Sequence, residues 1–408
     1  MSRHVTLRQC VLLAGGIATS TAEIIREVPK PILDVGGRPF LFWRMRELQR
    51  FGVEEFVILT GHLRAEVEAA ITLAADSLPK PAKLVFHEAP LAAGTAGALR
   101  AALPLLEARF LLCNGDSAFD ANIAPLLASF AADGEDVLAR LMLRDLDVAS
   151  TEGLVQTKGA RVTAFTLAAD SALPGSTNAG VYAVDRKLAA ICPAQGSLKR
   201  DVLPALAGRS ALTASHASGF FIDIGIPDDL ARARRELPAV LNRPALFLDR
   251  DGVLNHDHAY VGTRERWEWT QGAKGAVRLA SDHGWHVFVV TNQSGVARGM
   301  YTEGDVRALM GWMCEELRAA GGTVDDWRYC PYHPEATVEA YRRESDWRKP
   351  GPGMINSLIN DWNLTHTLCL MIGDQSTDHQ AAVAAGIPGL IFPGGDLAEF
   401  VAKAMSAG

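Results

Sequence analysis

The chain has 408 residues, 48% of them hydrophobic and 21% charged, and it carries a formal net charge of −7 at pH 7. This length exceeds what one hydrophobic core usually supports, so it predicts a folded protein of two domains. The acidic balance argues against nucleic acid or an anionic membrane as the main partner.

Two further features of the sequence indicate a cytoplasmic protein. No apolar run reaches the roughly 18 residues that a membrane span requires. The apolar stretch 10–14 is interpreted as a buried strand rather than a targeting segment. The six cysteines lie far apart without a CxxC pair, which predicts reduced and mostly buried thiols.

Strand-like and helix-like segments alternate over the first half of the chain and predict a mostly parallel α/β sheet. The predicted strands are 9–14, 55–60, 83–87 and 110–113, followed by a strand-rich stretch at 155–184. The predicted helices are 40–51, 63–71 and 227–237. Two prolines and the end of an Ala/Arg-rich helix mark 238–244 as a linker, so the first domain is expected to span 1–237.

The α/β pattern restarts at Ala245 and predicts a second domain over 245–408. Its predicted strands are 285–290, 367–371 and 389–392. Its predicted helices are 273–282, 303–320, 354–361 and 378–385. The expected fold class is therefore α/β, with two doubly wound domains.

The second domain opens with an apolar strand that runs into two aspartates and a glycine turn, FLDRDGV at 247–253. Of Asp249 and Asp251, one carboxylate can attack phosphorus. The other can protonate the leaving oxygen and then deprotonate water. Such a pair needs an open strand end and Mg²⁺ to hold the charges together.

Three later segments supply what this chemistry needs. Thr291 and the backbone N–H groups beside it can bind phosphate oxygens, and Lys349 can neutralise transition-state charge. Asp374 and Asp378 follow a strand and can complete a magnesium site with oxygen ligands. Each residue alone is compatible with a turn, a helix cap or a surface charge, but the ordered combination indicates a phosphate site.

This combination resembles the haloacid dehalogenase (HAD) superfamily over essentially all of residues 245–402. The resemblance implies that Asp249 is the nucleophile, which forms an aspartyl-phosphate, and that Asp251 is the general acid/base. It also implies that Thr291 and Lys349 hold the phosphoryl group. The implied magnesium ligands are Asp249, Asp251, Asp374 and Asp378.

A narrower resemblance is to the heptose 1,7-bisphosphate phosphatases and their relatives, the histidinol-phosphate phosphatases. It rests on DRDGVLN at 249–255, TNQSGVARG at 291–299 and RKPGPGM at 348–354. Only about 40 residues separate the first two motifs, which leaves no room for a large cap. The residues implied in binding substrate or its second phosphate are Asn292, Arg298 and Arg348. The alternative is that both arginines are surface residues.

Those relatives carry a structural zinc loop before the Arg-Lys-Pro triplet. Here the matching segments read CPYH at 330–333 and SDW at 345–347, and only Cys330 clearly remains. Because a structural zinc site needs about four nitrogen or sulfur ligands, no zinc is expected. The loop is expected to pack through Tyr332 and Trp347 instead.

The first domain carries an ordered set of its own. A strand runs into a glycine turn, VLLAGG at 11–16, where backbone N–H groups can approach a nucleotide, and Lys30 can sit on its phosphates. A second turn, GTAGAL at 94–99, opens a helix. Asp116 and Asp223 follow apolar strands and can offer carboxylates to a metal.

This set resembles the sugar-1-phosphate nucleotidyltransferases over about residues 8–236, most closely the mannose- and heptose-1-phosphate guanylyltransferases. The resemblance implies that a sugar phosphate attacks the α-phosphate of a nucleoside triphosphate, with GTP favoured, and releases pyrophosphate. It implies that Asp116 and Asp223 hold Mg²⁺. The implied nucleotide- and sugar-binding residues are Leu13, Ala14, Gly15, Gly16, Lys30, Gly94, Thr95, Asn178 and Gly180.

The glycine loop departs from that family, because Ala18 replaces a glycine and Ser20 replaces the arginine that would clamp the triphosphate. Three hypotheses follow. The first is a bifunctional enzyme that dephosphorylates a heptose bisphosphate and then transfers a nucleotide to the product. The second is a phosphatase whose first domain only binds a ligand or dimerises. The third is a phosphatase for histidinol phosphate or another small ester.

Overall fold

The computed structural model describes residues 6–15, 28–61, 63–146, 153–166, 175–225 and 227–407. It divides the chain into two compact units, Met1–Leu241 and Asn242–Gly408. Each unit has its own sheet and its own hydrophobic clusters. The α/β fold class that the sequence predicts is therefore confirmed.

Thirteen strands and seven α-helices make up the described part of the first unit. The strands are β1 (Gln9–Leu13), β2 (Asp34–Val35), β3 (Arg38–Pro39), β4 (Glu55–Thr60), β5 (Lys83–Glu88), β6 (Arg109–Asn114), β7 (Ser117–Asp120), β8 (Ala139–Leu146), β9 (Val155–Lys158), β10 (Arg161–Phe165), β11 (Gly175–Asp185), β12 (Leu212–His216) and β13 (Phe220–Asp223). The helices are α1 (Phe40–Arg50), α2 (Arg64–Ala75), α3 (Gly94–Ala101), α4 (Ala124–Ala132), α5 (Arg186–Ile191), α6 (Leu203–Ala207) and α7 (Pro227–Val240).

A nine-stranded sheet organises this unit, in the order β5-β4-β1-β6-β11-β8-β12-β10-β9. Strands β5, β4, β1 and β6 are parallel. Strand β11 runs antiparallel to both of its neighbours. The sheet is therefore mixed beyond β6, which corrects the prediction of a mostly parallel sheet. Antiparallel neighbours need no helical crossover, and β9 and β10 are joined by only two residues, 159–160.

The sheet is covered on both faces because the side chains of its inner strands alternate between two apolar clusters. In β1, Cys10 and Leu12 belong to one cluster and Val11 to the other. Helices α1, α2 and α4 contribute to the first cluster, and α3, α5 and α6 to the second. Burial of both faces leaves the ends of the strands as the places where polar side chains are accessible.

The end of α7 corrects the predicted linker. Helix α7 extends to Val240 with Pro238 inside it, so residues 238–240 are helical. Leu237 and Leu241 are buried in one apolar cluster, and the Leu241 N–H donates to the Leu237 carbonyl oxygen at 3.0 Å. Burial of these leucines outweighs the loss of one backbone N–H donor at the proline.

A parallel five-stranded sheet forms the second unit, in the order β16-β15-β14-β17-β18. Its strands are β14 (Ala245–Leu248), β15 (His286–Asn292), β16 (Asp326–Cys330), β17 (Cys369–Gly373) and β18 (Gly389–Ile391). Its helices are α8 (Ala273–Asp282), α9 (Ser294–Ala297), α10 (Glu303–Ala319), α11 (Gly353–Trp362), α12 (Ser376–Ala384) and α13 (Leu397–Ala407). The central strand β14 is buried on both faces, with Leu246 in one cluster and Phe247 in the other.

The described residues also bear on three smaller predictions. All six cysteines are free and buried, as predicted. Tyr332 and Trp347 pack against the cluster that contains Phe247, as expected for the loop that precedes α11. None of the helices in the described ranges combines the length and apolar character that a membrane crossing requires.

Removal of the same two methyl groups should have different costs inside the second unit and on its surface. Val287 is fully buried in β15, whereas Val383 is 61% exposed in α12. We expect Val287→Ala to lower the free energy of unfolding by roughly 2 kcal/mol or more, and Val383→Ala by less than about 0.5 kcal/mol. Urea unfolding followed by tryptophan fluorescence measures this, because Trp43 is the one tryptophan outside this unit. Equal losses would contradict the burial described.

Candidate active site

The polar residues of the second unit converge at the carboxyl edge of its sheet. Asp249 directly follows β14, Thr291 is the second-last residue of β15, and Asp374 directly follows β17. Because β14 lies between β15 and β17 and all three strands are parallel, their carboxyl ends meet at one edge. Thus residues far apart in the chain become neighbours.

Lys349 is a buried cation at the centre of this cluster. Its side chain, only 3% exposed, places Nζ 2.8 Å from Asp249 Oδ1 and 2.6 Å from Asp378 Oδ1. Nζ also donates to the Val290 carbonyl oxygen at 3.1 Å. Burial alone would lower the pKa of Lys349, but the two carboxylates outweigh it and raise this pKa. The ammonium group is therefore charged at neutral pH.

The cluster holds more negative than positive charge. Asp249, Asp374 and Asp378 can bring one carboxylate oxygen each within 4.8 Å of one another, and Lys349 is the cation that contacts this group. Burial raises the pKa of Asp249 to about 7, despite the opposing effect of Lys349. Burial also raises the pKa of Asp374. Three oxygen ligands with an unbalanced negative charge fit a hard divalent cation such as Mg²⁺.

Helix α12 orients two of these carboxylates. Gln375 precedes the helix and donates from Nε2 to Asp374 Oδ2 at 2.6 Å. Its backbone N–H donates to Asp378 Oδ2 at 3.0 Å, so Asp378 both caps the helix and pairs with Lys349. The predicted N-cap position belongs to Gln375, and Asp378 is the N3 residue of its capping box.

Asp251 lies outside the three-carboxylate group, although we expected it among the metal ligands. Both of its oxygens accept hydrogen bonds from the fully buried Arg250 guanidinium, at 2.8 to 3.1 Å. Asn255 donates to Oδ1 at 2.9 Å and Gln293 donates to Oδ2 at 3.0 Å. These donors direct the carboxylate away from the other acids, and Asp251 remains at the wall of the cavity.

Asp249 and Asp251 both line an open cavity of 340 Å³. The other residues at its wall are Asp257, Ala259, Tyr260, Thr291, Asn292, Ser294, Tyr301, Lys349, Asp374, Gln375, Thr377 and Asp378. The Asn292 amide exchanges two hydrogen bonds with the Lys349 backbone, each of 3.0 Å. Asn292 thus holds the lysine loop against β15, a contact that the sequence did not predict.

Arg298 and Arg348 are half-buried residues that are not among the residues of the cavity wall. The Arg298 guanidinium lies 5.8 Å from the ring centre of Tyr260, which does line the cavity. Burial, followed by Arg348 and Arg298, lowers the pKa of His333, which shows that these positive charges share one neighbourhood. The two arginines therefore form a basic region around His333 that reaches Tyr260 through Arg298.

Sequence reasoning missed several residues that hold the site together: Arg250, Asn255, Gln293, Tyr301 and Gln375. Four of them, all except Tyr301, lie inside or beside the recognised motifs, so the motifs could have indicated that they belong to the site. The hydrogen bond from Gln293 to Asp251 spans 42 residues and has no local sequence pattern. Arg250, Asn255 and Gln375 contact aspartates within four residues, but residue order does not give the direction of their side chains. Tyr301 lies two residues after the second motif and had no signal of its own.

In the first unit, the end of β1 meets the ends of its neighbours in the same way. The Gly115 N–H donates to the Leu13 carbonyl oxygen at 3.0 Å, and the Ala14 N–H donates to the Leu59 carbonyl oxygen at 2.9 Å. Gly15 follows them at the same edge. The rest of the predicted glycine loop, with Gly16, Ala18 and Ser20, lies outside the described residues.

Lys30 and the two predicted metal ligands lie together in this unit. Lys30 Nζ is 3.2 Å from Asp116 Oδ2. Asp116 precedes β7 and Asp223 ends β13, and these strands pair so that the Ile224 N–H donates to the Asp116 carbonyl oxygen. This unit therefore also has a lysine beside a strand-end carboxylate, although Lys30 is half-buried and Lys349 is buried.

The remaining predicted residues of this unit form two local arrangements. Asn178 and Gly180 lie on β11 beside β6, and the Asn178 side chain accepts from the Gly180 N–H and donates to the Tyr182 hydroxyl. Gly94 and Thr95 begin α3, where Thr95 Oγ1 accepts from the Leu198 N–H at 2.9 Å. No contact between the second pair and the Lys30 cluster occurs among the hydrogen bonds of the described residues.

Comparison with known proteins agrees with this geometry. A family model described as nucleotidyl transferase matches residues 9–239, and one described as HAD-hydrolase-like matches residues 346–399. The D-glycero-β-D-manno-heptose-1,7-bisphosphate 7-phosphatase of Rhodopseudomonas palustris is 52% identical over 163 residues, 40% of this chain and 91% of that protein. The Escherichia coli K12 protein of the same name is 42% identical over 144 residues, 35% of this chain and 75% of that protein.

Among solved structures, HddC from Yersinia pseudotuberculosis covers 57% of this chain and 100% of its own, with 24% identity and a TM-score of 0.49. The family matches define the class of each unit. The chain belongs to the nucleotidyl transferase family through its first unit and to the HAD-type hydrolases through its second. Within the second class, its family is that of the heptose-1,7-bisphosphate 7-phosphatases.

An added methyl group at Gly252 should weaken metal binding. A Cβ there would come within 2.3 Å of Asp374 Oδ2, and φ of Gly252 is +84°. Gly284 has a similar φ of +77° but no atom within 4 Å of the added Cβ, so Gly284→Ala is a matched control for backbone strain. We expect Gly252→Ala to raise the Kd for Mg²⁺ about tenfold or more in calorimetric titration, and Gly284→Ala to leave it near wild type. Equal Kd values would contradict this role of Gly252.

The metal-free protein should lose stability as pH rises. Because the folded-state pKa of Asp249 is raised to about 7, the folded protein binds more protons than the unfolded chain between about pH 4 and that value. The sign of this linkage makes the free energy of unfolding fall as pH rises through that window. We expect Asp249→Asn to flatten the fall, measured as Tm in chelator from about pH 5 to about pH 8. Parallel profiles for wild type and variant would contradict this.

Proposed function

We propose that the second unit is a phosphatase that uses Asp249 as its nucleophile. The observation that carries the proposal is the buried Lys349 between Asp249 and Asp378 at a strand edge, with Asp251 beside the same cavity. A lysine held between carboxylates in this way can partly neutralise the negative charge of a phosphoryl group that binds there. The similarity to heptose bisphosphate phosphatases over most of their length supports this assignment.

The chemistry follows from the positions of the side chains. An Asp249 carboxylate oxygen attacks phosphorus, the bond from phosphorus to the sugar oxygen breaks, and Asp251 gives its proton to that oxygen. Asp251 then takes a proton from water, whose oxygen attacks the aspartyl-phosphate and releases inorganic phosphate. Thr291 and Lys349 line the cavity where the phosphoryl oxygens would lie, and Asn292 holds the Lys349 backbone.

The metal that we propose for this unit is Mg²⁺. Asp249, Asp374 and Asp378 would hold it, because they are the grouped oxygen ligands. When bound, it would neutralise phosphoryl charge and hold the nucleophile close to phosphorus. Asp251 would stay outside this metal site, since its oxygens accept hydrogen bonds from Arg250, Asn255 and Gln293.

We further propose that the substrate is D-glycero-D-manno-heptose 1,7-bisphosphate and that the 7-phosphate is removed. This is the substrate named for the relatives that this unit resembles. The basic region formed by Arg298 and Arg348 adjoins Tyr260 at the cavity wall and would suit the phosphate that is retained. Histidinol phosphate has no second phosphate that could bind to Arg298 and Arg348.

We propose that the first unit transfers a nucleotide, with GMP from GTP favoured, to the resulting sugar 1-phosphate. Membership of the nucleotidyl transferase family supports the reaction class, and the preference for GTP rests on the resemblance of the motifs. Asp116 and Asp223 would hold Mg²⁺, Lys30 would face phosphate, and the Leu13–Gly15 edge would meet the nucleotide. Gly94 and Thr95 would line the nucleotide pocket, and Asn178 and Gly180 would approach the sugar.

The two activities would act in sequence, since the product of the phosphatase would be the acceptor of the transferase. Soluble nucleotide and sugar phosphate substrates are consistent with a cytoplasmic enzyme. The replacement of an arginine by Ser20 favours a second candidate, in which the first unit binds its ligands without transferring a nucleotide. Pyrophosphate release separates the two candidates.

Two single substitutions should divide the activities. We expect Asp249→Asn to lower phosphate release from the heptose bisphosphate by at least about 10³-fold and to leave pyrophosphate release from GTP and heptose 1-phosphate unchanged. Asp116→Ala should lower pyrophosphate release and leave phosphate release from the heptose bisphosphate unchanged. Phosphate release and pyrophosphate release are measured in separate coupled assays that contain Mg²⁺. Histidinol phosphate is the comparison substrate in the first assay, and the four nucleoside triphosphates are compared in the second. Wild-type phosphatase activity without any pyrophosphate release would establish the second candidate and refute the transferase.

A further inference from the structure

Gln293 joins two residues of the phosphatase site that have different tasks. From its single amide nitrogen, Nε2, it donates to Asp251 Oδ2 at 3.0 Å and to Thr291 Oγ1 at 2.8 Å. The side chain is only 1% exposed, so neither hydrogen bond competes with solvent. One amide group therefore sets the spacing between the proton-transferring carboxylate and the phosphate-binding hydroxyl.

Tyr301 decides which way this amide faces. A carboxylate only accepts hydrogen bonds, so the nitrogen of Gln293 must face Asp251 and its oxygen must face away. The Tyr301 hydroxyl donates to that oxygen at 2.8 Å. Burial raises the pKa of Tyr301 to about 12, so the hydroxyl keeps its proton at neutral pH.

The ring of Tyr301 is itself held in one place. A Cβ added at Gly262 or at Gly295 would come within 2.3 Å of a ring atom. The ring therefore packs directly on two stretches of backbone, and no larger residue fits at either position. Its hydroxyl reaches Gln293 from a rigid support, while the ring edge forms part of the cavity wall.

We propose that Gln293, held by Tyr301, is a positioning residue that fixes Asp251 relative to Thr291 during phosphoryl transfer. This inference rests on the proposed phosphatase function and assigns a role to two residues outside the catalytic set. Arg250 and Asn255 restrain the Asp251 carboxylate from the other side, whereas Gln293 is the link between Asp251 and the phosphate-binding threonine. Displacements well below 1 Å reduce catalysis by such groups.

The role predicts a dependence on the leaving group. As Asp249 bonds to phosphorus and the bond from phosphorus to the leaving oxygen breaks, a sugar alkoxide must receive the Asp251 proton. A p-nitrophenolate is stable without a proton, so the same step hardly needs Asp251. The parameter kcat/KM reports on this first transfer, whereas hydrolysis of the aspartyl-phosphate is common to both substrates. Loss of positioning should therefore reduce kcat/KM selectively for sugar phosphates.

The test uses the full-length chain with Mg²⁺ and the variants Tyr301→Phe and Gln293→Leu. We expect kcat/KM for the heptose bisphosphate to fall about tenfold in each variant, and kcat/KM for p-nitrophenyl phosphate to fall less than about twofold. Tyr341→Phe is the matched control, because it also removes a tyrosine hydroxyl from this unit, one that donates to Glu303 at 3.0 Å. Thermal unfolding of each variant checks that the unit is folded.

Each outcome has a distinct meaning. Equal losses on both substrates would show that Gln293 and Tyr301 only support the structure, and unchanged kcat/KM on both would show that the link is dispensable. Either result overturns the proposal. A folded wild-type protein that hydrolyses neither substrate would instead refute the proposed phosphatase function. The milder Tyr301→Phe variant keeps the test valid if Gln293→Leu does not fold.

Discussion

The ion pairs of Lys349 are the interaction on which the phosphatase site depends. Two aspartates that are almost completely buried, Asp249 and Asp378, would repel each other without the ammonium group between them. Removal of one partner from such a buried cluster leaves uncompensated charge, which costs several kcal/mol. The remaining negative charge suits the site to a divalent cation, and the Lys349 ammonium supplies positive charge toward a phosphoryl group.

Both units use the same physical arrangement at the ends of their strands. Apolar clusters on each face of the sheet leave only the strand ends for polar groups. In the second unit, Lys349 joins Asp249 and Asp378; in the first, Lys30 lies beside Asp116. Lys30 and Asp116 are less buried, so solvent screens that pair more strongly. This shared arrangement supports the phosphate chemistry that we propose for each unit.

Prediction succeeded where the signal is local. The helix at 273–282 and the strand at 55–60 were predicted with their observed bounds, because each has a clear apolar period and clear ends. Prediction was wrong for the mixed part of the first sheet, since the direction of β11 depends on partners far along the chain. It was also wrong at Pro238, where burial of neighbouring leucines keeps the helix intact.

The sequence by itself determined the fold class, the family resemblances and the candidate residues Asp249, Thr291 and Lys349, because these depend on residue type and order. Tertiary structure alone decided that Asp251 is directed to Arg250 and Asn255, and that Tyr301 holds Gln293. These partners lie within eight residues of one another, but residue order does not say which way each side chain faces. The direction of a side chain is set by the neighbours that folding brings to it, and no local pattern records them.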